Sequence, residues 1–296
     1  MRYLRPEVII MSSNIVHHFE SLQLTDMLLS SQVTVATGTP VRAAVRAMAA
    51  QQQSCAVVMR GREISGILTE HDVTTKLVAA PDRWDAEVDD FMTAHPQVIS
   101  DNKTAIDALR VMNANQFRNL PVVTQWGDVL GNITQYDLVR LASRFLKSTD
   151  DVGPDLEPEH NLLFVDFNGL PHRVPVLVET STTLGQTINA MLDAGTGLAS
   201  VVDERGAVIG EFTEHDVFSK VAFRVEDLTD ELVGHWMTTP IAAAPPDTPI
   251  SEGIHLMAEL GHRYLVLLNE TNRALGVVNF RDIAEYFDAA FALPPA

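Results

Sequence analysis

The sequence predicts an α/β fold made of four copies of one β-α-β-β-α unit. Three features recur in the same order in every copy: an amphipathic helix that contains a methionine, a short aliphatic strand, and a second strand that ends in a shared phrase. The spacing from that methionine to the Thr or Asn of the phrase is 21, 22, 22 and 22 residues. Spacing that varies by one residue over four copies indicates a single supersecondary unit used four times.

The helix of each copy is predicted from apolar residues at i, i+3, i+4 and i+7, a spacing that places them on one helical face. In the first copy these residues are Val41, Ala44, Val45 and Met48. Methionine returns at the matching step of every stripe, as Met48, Met112, Met191 and Met257. Many helices bury one methionine, but four in register indicate a repeat.

Two strands follow each predicted helix. The first is a short aliphatic run typical of a buried strand, and the four runs are Val57-Val58, Val122-Val123, Val201-Val202 and Val266-Leu267. A turn follows, clearest at Asp203–Gly206. The second strand ends in a shared phrase, which is GILTEHD (Gly66–Asp72), GNITQYD (Gly131–Asp137), GEFTEHD (Gly210–Asp216) and GVVNFRD (Gly276–Asp282).

Length, composition and charge limit the function classes. A chain of 296 residues that is 46% hydrophobic and 20% charged is long enough for two globular domains. Lys and Arg number 21 against 39 Asp and Glu, a net charge of −18, which argues against nucleic-acid binding. Residues 1–148 carry 14 basic and 15 acidic residues and the remainder 7 and 24, and the proline- and acid-rich stretch 149–173 between the halves is predicted to be a linker.

The location of the protein is predicted from the length of its apolar runs, which determines whether any could be a membrane span or a signal peptide. None reaches the roughly 18 residues that a membrane span requires, and Pro6 and Glu7 interrupt the only candidate core of a signal peptide. The single cysteine, Cys55, lies in an apolar run and is expected to be a buried, unreactive thiol. We therefore expect a cytoplasmic protein with no membrane partner.

Each unit resembles a cystathionine beta-synthase (CBS) domain. The resemblance extends to a V-x-D-x-M-T segment ahead of the unit, present at Val88–Thr93 and Leu232–Thr238, weaker at Leu24–Met27, and missing at Val174–Val178 ahead of the third helix. CBS units pair into Bateman modules, which implies two pseudo-twofold modules here. Four units in one chain are similar to the regulatory gamma subunit of AMP-activated protein kinase or to a stand-alone quadruple-CBS sensor.

The resemblance covers almost the whole chain and gives its boundaries. We expect an N-terminal segment 1–21, a first module over 22–148 with units at about 22–80 and 86–148, and the linker 149–173. The second module is expected over 174–287 with units at about 174–224 and 230–287, followed by a tail at 288–296. Whether the two modules assemble within one chain or through a homodimer is left open by the sequence.

The shared phrase supports two interpretations. As a capping box, the Thr accepts from the amide three residues on and the Asp reaches back to the Thr amide, which stabilises a helix by about 1 kcal/mol. As a ligand site, the same helix start offers amides and a hydroxyl to a phosphate, while the carboxylate accepts from a ribose diol. For any single copy, the capping box is the simpler interpretation.

CBS domains use these positions for nucleotides, and the resemblance carries the roles over residue by residue. It implies close backbone approach at Gly66 and phosphate contact at Thr69, Thr134 and Thr213. It implies ribose contact at Asp72, Asp137, Asp216 and Asp282. Asn279 replaces the Thr in the fourth copy, so the fourth site departs from the family pattern.

A further distinction lies six residues after each repeat methionine. The even copies have Arg118 and Arg263 there, and the odd copies have Ser54 and Gly197. The pair His262-Arg263 resembles the segment that reaches a nucleotide phosphate in the kinase gamma subunit. We therefore expect stronger sites at Thr69/Asp72 and Thr213/Asp216, served by the arginines, than at Asp137 and Asp282.

These observations predict a regulatory protein rather than an enzyme. No metal-ligand cluster, nucleophile elbow, Walker loop or dinucleotide fingerprint occurs in the sequence. The expected ligand is AMP, ADP or ATP, bound between paired units and signalled to an effector protein. A sensor of S-adenosylmethionine, a ligand-free interaction scaffold and an enzyme of unrecognised chemistry are the alternatives.

Overall fold

A computed structural model describes residues 17–27, 29, 32–138, 140, 141, 144, 165–225 and 227–291 of the chain, with the backbone alone at 81 and 287–291. The predicted segment 1–21 lies outside the described residues up to position 16, as does the predicted linker up to position 164. The end of the predicted tail, residues 292–296, also lies outside them.

Module 1 contains the first and second copies. The first copy is built from β1 (Val33–Ala36), α1 (Val41–Ala50), β2 (Cys55–Arg60), β3 (Glu63–Thr69), a helical segment at Glu70–Asp72 and Val73–Leu77, and β4 (Thr93–Ala94). The second copy is built from β5 (Ile99–Ser100), α2 (Ala105–Asn115), β6 (Asn119–Val123) and β7 (Val129–Thr134), after which residues 135–138 are helical.

Module 2 contains the third and fourth copies and repeats this order. The third copy is built from β8 (Leu177–Glu179), α3 (Leu184–Asp193), β9 (Leu198–Val202), β10 (Val208–Thr213) and a helical segment at Glu214–Asp216 and Val217–Val221. The fourth copy is built from β11 (Ala243–Ala244), α4 (Ile250–Leu260), β12 (Tyr264–Leu268), β13 (Ala274–Asn279) and α5 (Phe280–Phe291). The predicted α/β fold of four units is confirmed.

Each copy forms its own small sheet with the same pairing. The first strand pairs parallel with the second, and the second pairs antiparallel with the third, as β1 with β2 and β2 with β3. The repeat methionines are buried beneath these sheets, as the 3.6-residue periodicity predicts. The aliphatic run Cys55–Val58 is buried on both faces, and burial raises the pKa of the Cys55 thiol to about 12, which makes it an inert core residue.

The segment ahead of each copy packs on the other copy of its module. The amide of Val88 donates to the carbonyl of Thr39 in the first copy, whereas the amide of Leu24 donates to the carbonyl of Lys103 in the second, each over 2.9 Å. The same exchange occurs in module 2, where Val233 bonds Thr182 over 2.8 Å and Phe167 bonds Thr248 over 3.3 Å.

This exchange changes the predicted boundaries in two places. The V-x-D-x-M-T segment at Val88–Thr93 completes the first copy, through Thr93 in β4, although the sequence boundaries place it in the second. Residues 165–173, assigned to the linker, instead pack on the fourth copy through Phe167 and Leu170. Phe167 begins a short helical turn that corresponds to the one at Val88, so the segment ahead of the third copy is present earlier in the chain than Val174–Val178.

The two modules assemble through their helices within one chain. The second and fourth copies share one core, in which α2 contacts α5 and Asn113 donates to the carbonyl of Ala284 over 3.3 Å. The first and third copies meet at residues 70–77 and 214–221, and the rings of Trp84 and Phe223 lie 4.4 Å apart. Among the residues described, no helix is long and apolar enough to cross a bilayer.

Candidate functional site

All four phrases form a cap on the helical turn that follows them. In the first copy the Thr69 amide donates to Asp72 Oδ2 over 2.9 Å, and the Asp72 amide donates to Thr69 Oγ1 over 3.3 Å. The second and third copies repeat this geometry, and in the fourth copy the Asn279 amide donates to Asp282 Oδ2 over 2.9 Å. The caps engage one carboxylate oxygen of every aspartate, so the other oxygen decides what the phrase can bind.

In the odd copies the second oxygen is also engaged inside the protein. Lys76 Nζ lies 2.6 Å from Asp72 Oδ1, and Lys220 Nζ lies 2.8 Å from Asp216 Oδ1. Asp216 Oδ1 also accepts from the Thr238 hydroxyl over 2.6 Å. The side chains of Asp72 and Asp216 are only 6% and 4% exposed.

In the even copies the second oxygen is placed differently. Asp137 Oδ1 accepts no hydrogen bond from any residue within the described part of the chain, and the Asp137 side chain lines a cavity. Asp282 Oδ1 accepts from the Arg173 guanidinium over 3.2 and 3.3 Å. Of the four predicted ribose ligands, Asp137 has an oxygen available in an open cavity.

That cavity, named here the even-copy cavity, has a volume of about 370 Å³ and is lined by all four copies. Ser54 and Gly197 contribute from the odd copies, at the positions that match Arg118 and Arg263 of the even copies. The even copies contribute the predicted residues Thr134 and Asp137, and the remaining polar and aromatic lining includes Asn119, Tyr136, Arg140, Arg173, Tyr264, Asn279, Phe280 and Arg281. Arg118, His262 and Arg263 line it as well.

Arg118 and Arg263 also hold the modules together through carboxylates that the sequence analysis missed. Arg118 Nη1 lies 2.5 Å from Glu214 Oε2 in the opposite module, and Arg263 pairs with Glu70. His71 completes the first cluster, with its Nδ1 2.7 Å from Glu214 Oε1. In the second cluster, His215 Nδ1 lies 2.9 Å from Glu70 Oε1. The structure thus brings the two predicted arginines to cross-module ion pairs.

The electrostatics of these two clusters favour ionised glutamates. Burial by itself raises the pKa of Glu214, but His71 and Arg118 outweigh it and hold the pKa at about 2. Burial likewise opposes ionisation of Glu70, and Arg263 and His215 hold its pKa below the ordinary range. The signal that could have identified these glutamates is the identity of TEHD in both odd copies, because the even copies have TQYD and NFRD.

A second cavity of about 270 Å³ lies at the odd-copy phrase of module 1 and is named here the odd-copy cavity. Thr69 lines it with Arg118 and Arg263, and Ile67 and Phe117 supply apolar surface, whereas Asp72 is not in its lining. Backbone approach at Gly66 is close, but the neighbour is Met92, whose side chain would collide with an added Cβ.

The matching positions in module 2 carry charge instead of apolar surface. Glu211 stands where module 1 has Ile67, and His262 Nδ1 lies 2.7 Å from Glu211 Oε1. This contact raises the pKa of His262, while burial raises the pKa of Glu211. His262, a predicted phosphate contact, therefore pairs with a carboxylate in this structure.

Comparison with known proteins matches this repeat to one family. The sequence model of the CBS domain matches residues 10–79, 88–144, 167–222 and 233–289. A Schizosaccharomyces pombe relative, the meiotically up-regulated gene 70 protein, is 25% identical over 86% of this chain and 42% of its own length. The Arabidopsis thaliana CBS domain-containing protein CBSCBSPB3 is 26% identical over 90% of this chain and 52% of its own. The chain therefore spans about half the length of these curated relatives.

Solved structures share the fold across most of the chain. MJ1225 from Methanocaldococcus jannaschii, a proposed archaeal homologue of g-AMPK, superposes with a TM-score of 0.73 at 16% identity, covering 87% of this chain and 96% of that one. A protein of Pyrococcus horikoshii superposes with a TM-score of 0.56 at 18% identity, over the same shares of the two chains. Because the four matched stretches cover most of its residues, the chain belongs to the CBS domain family.

Proposed function

We propose that this protein is a regulatory sensor that binds an adenine nucleotide in the even-copy cavity and signals its occupancy to an effector protein. The observation that carries the proposal is the available oxygen of Asp137 in a cavity of about 370 Å³, a size typical of small-molecule sites. The odd-copy phrases at Asp72 and Asp216 are assigned a structural role, because both oxygens of each carboxylate already have partners.

The chemistry of the lining suits the three parts of a nucleotide. The Asp137 carboxylate accepts from a ribose diol and disfavours ligands that lack the diol, since its oxygen would then lose a partner. Tyr136 and Phe280, whose ring centroids lie 4.9 Å apart, supply aromatic surface for a purine. Arginine side chains in the same cavity attract the phosphate.

Regulation follows from where the cavity lies. Its lining comes from both modules, so a ligand there contacts the two halves of the molecule at once. Such a ligand shifts the population between arrangements of the modules according to its differential affinity for them. An effector protein that recognises one arrangement then responds to the ligand, and no turnover of the nucleotide is required.

Calorimetric titration of the full chain with AMP tests the site. Asp137→Asn is expected to weaken AMP binding by roughly 10- to 100-fold, because it removes a charged acceptor. Asp72→Asn is the matched control, from the same phrase in an odd copy, and is expected to change affinity by less than about threefold. Weaker binding in Asp72→Asn together with unchanged binding in Asp137→Asn would place the ribose on the odd-copy phrase and contradict the proposal.

A ligand panel separates the sensor from a scaffold. AMP, ADP, ATP and S-adenosylmethionine are each titrated while thermal unfolding is followed, and a ligand present at 100 times its Kd stabilises the native state by about 2.7 kcal/mol. A scaffold without ligand sites would show no shift with any of the four compounds. Chromatography of the nucleotide after incubation is expected to show it unchanged, and hydrolysis would indicate an enzyme.

A further inference from the structure

Within the described part of the chain, five arginines line the even-copy cavity, and they differ in whether a carboxylate already neutralises them. Arg118 pairs with Glu214 and Arg263 with Glu70. Arg173 Nη2 lies 3.2 Å from Asp282 Oδ1, and Arg281 Nε lies 3.2 Å from Glu285 Oε1. Four of the five guanidinium groups therefore enter the cavity with a counter-ion beside them.

Arg140 is the exception. Among the residues that the structure describes, no carboxylate lies within 4.0 Å of its guanidinium. The Arg140 Cζ lies 5.3 Å from the centre of the Tyr136 ring, so a cation–π contact holds the group. A cation–π contact uses no hydrogen-bond acceptor, so it leaves the N–H donors of the guanidinium available to an anion.

Arg140 lies near Asp137, the aspartate whose second carboxylate oxygen is available. Arg140 follows Asp137 by three residues in the helical segment after β7, which places both on one side of that segment, and both line the cavity. The corresponding positions of the other phrases are occupied by Thr75, Ser219 and Glu285. Among the residues with described structure, the second copy alone combines a cation at this position with an aspartate whose second oxygen is available.

The charges near each arginine determine which one binds an incoming phosphate most strongly. A phosphate beside Arg118 also meets the carboxylate of Glu214, which its pKa of about 2 keeps ionised, and the two anions repel each other. A phosphate beside Arg140 meets a guanidinium that has no carboxylate within 4.0 Å among the described residues, so less repulsion opposes its charge-assisted hydrogen bonds.

We propose that Arg140 is the residue that recognises the phosphate of the ligand, with the ribose on Asp137 of the same phrase. The inference deepens the proposed function and rests on it. It replaces Arg118 and Arg263 as phosphate contacts and defines the ligand as a nucleotide that carries a phosphate near its ribose.

The test compares AMP with adenosine on the full chain. Arg140→Gln is expected to weaken AMP binding by roughly 10- to 100-fold while adenosine binding changes by less than about twofold, because only the phosphate contact is lost. Arg144→Gln is the matched control, since it removes one positive charge from an exposed position one turn further along. It is expected to leave both affinities within about twofold of the wild type.

Two results would overturn the inference. The first is AMP affinity in Arg140→Gln equal to that in Arg144→Gln, and the second is an equal loss for AMP and adenosine. Arg140→Lys guards against misfolding, because it keeps the charge and is expected to bind AMP more tightly than Arg140→Gln.

A further experiment distinguishes failure of the proposed nucleotide binding from failure of phosphate recognition by Arg140. If the wild type binds neither AMP nor adenosine, inorganic pyrophosphate becomes the probe in thermal unfolding. Stabilisation of the wild type that Arg140→Gln abolishes and Arg144→Gln retains would support anion recognition without a nucleoside. No stabilisation of the wild type would overturn the inference together with the proposed function.

Discussion

The odd and even phrases share one motif and differ in what their aspartates face. Asp72 and Asp216 have both carboxylate oxygens engaged inside the protein, whereas Asp137 presents one oxygen to a cavity. The difference is visible four residues after each aspartate: the odd copies have Lys76 and Lys220 there, and the even copies have Leu141 and Tyr286. In this chain the lysine at that spacing engages the second carboxylate oxygen in the odd copies, so the phrase there forms a cap with no available oxygen.

The second contrast concerns the residue after the Thr. Glu70 and Glu214 of the odd copies are buried and each accepts from an Arg and a His of the opposite module. The even copies have Gln135 and Phe280 there. The odd phrases hold the modules together, and the even phrases line the space that this assembly encloses.

The largest effect is expected from a variant that breaks the contacts of Glu214 with Arg118 and His71 of the opposite module. Glu214→Gln should lower the free energy of unfolding by about 3 kcal/mol, because Arg118 and His71 lose a buried counter-ion. The control is Glu285→Gln, which loses only a partly exposed pair with Arg281 and should cost less than about 1 kcal/mol. Chemical denaturation measures both, and equal losses would contradict the structural role of the odd phrase.

The same contact should be lost in acid. The pKa of Glu214 is depressed in the folded state to about 2, below its ordinary value of about 4.3, so its stabilisation is complete above the ordinary value and disappears as pH falls toward 2. The difference in unfolding free energy between wild type and Glu214→Gln should therefore shrink over that window. Denaturation at a series of pH values measures it, and a difference that does not change with pH would refute the assignment.

A smaller difference is expected between the aspartates themselves. Asp72→Asn should cost about 2 kcal/mol of stability, because the cap weakens and Lys76 loses its counter-ion. Asp137→Asn should cost about 1 kcal/mol, since the contacts of its carboxylate with described residues are those of the cap. Denaturant midpoints of the two variants decide the point, and a larger loss in Asp137→Asn would reverse the contrast.

The smallest effect is expected at Glu211, which occupies in module 2 the position that Ile67 occupies in module 1. Its carboxylate is buried, and its Oε2 accepts no hydrogen bond within the described residues, so the charge adds little stability. Glu211→Gln should therefore change the free energy of unfolding by less than about 1 kcal/mol. The pKa of His262, raised by Glu211, should fall toward about 6.5 in the variant. A titration followed by NMR reports it, and an unchanged pKa would show that Glu211 does not control His262.

Much of the fold could be predicted because its signals are local. The methionine stripes of α1 to α4, the aliphatic strands and the caps at Thr69, Thr134 and Thr213 depend on residues a few positions apart. The fourth cap forms even with Asn279, whose side chain accepts from the Asp282 amide over 3.1 Å. The exchange of segments such as Val88–Thr93 could not be predicted. This segment directly precedes the second copy along the chain, but its backbone hydrogen bonds join it to the first copy, for example from Val88 to Thr39.

The sequence by itself determined the four units, the β-α-β-β-α order within each, and the capped phrase at the end of each second strand. The tertiary structure decided which phrases bind the opposite module and which line a cavity. The physical reason is separation along the chain: Arg118 reaches Glu214 across 96 positions and His71 reaches it across 143. Periodicity records the neighbours a residue has on its own helix or strand, whereas ion pairs between modules depend on how whole units pack.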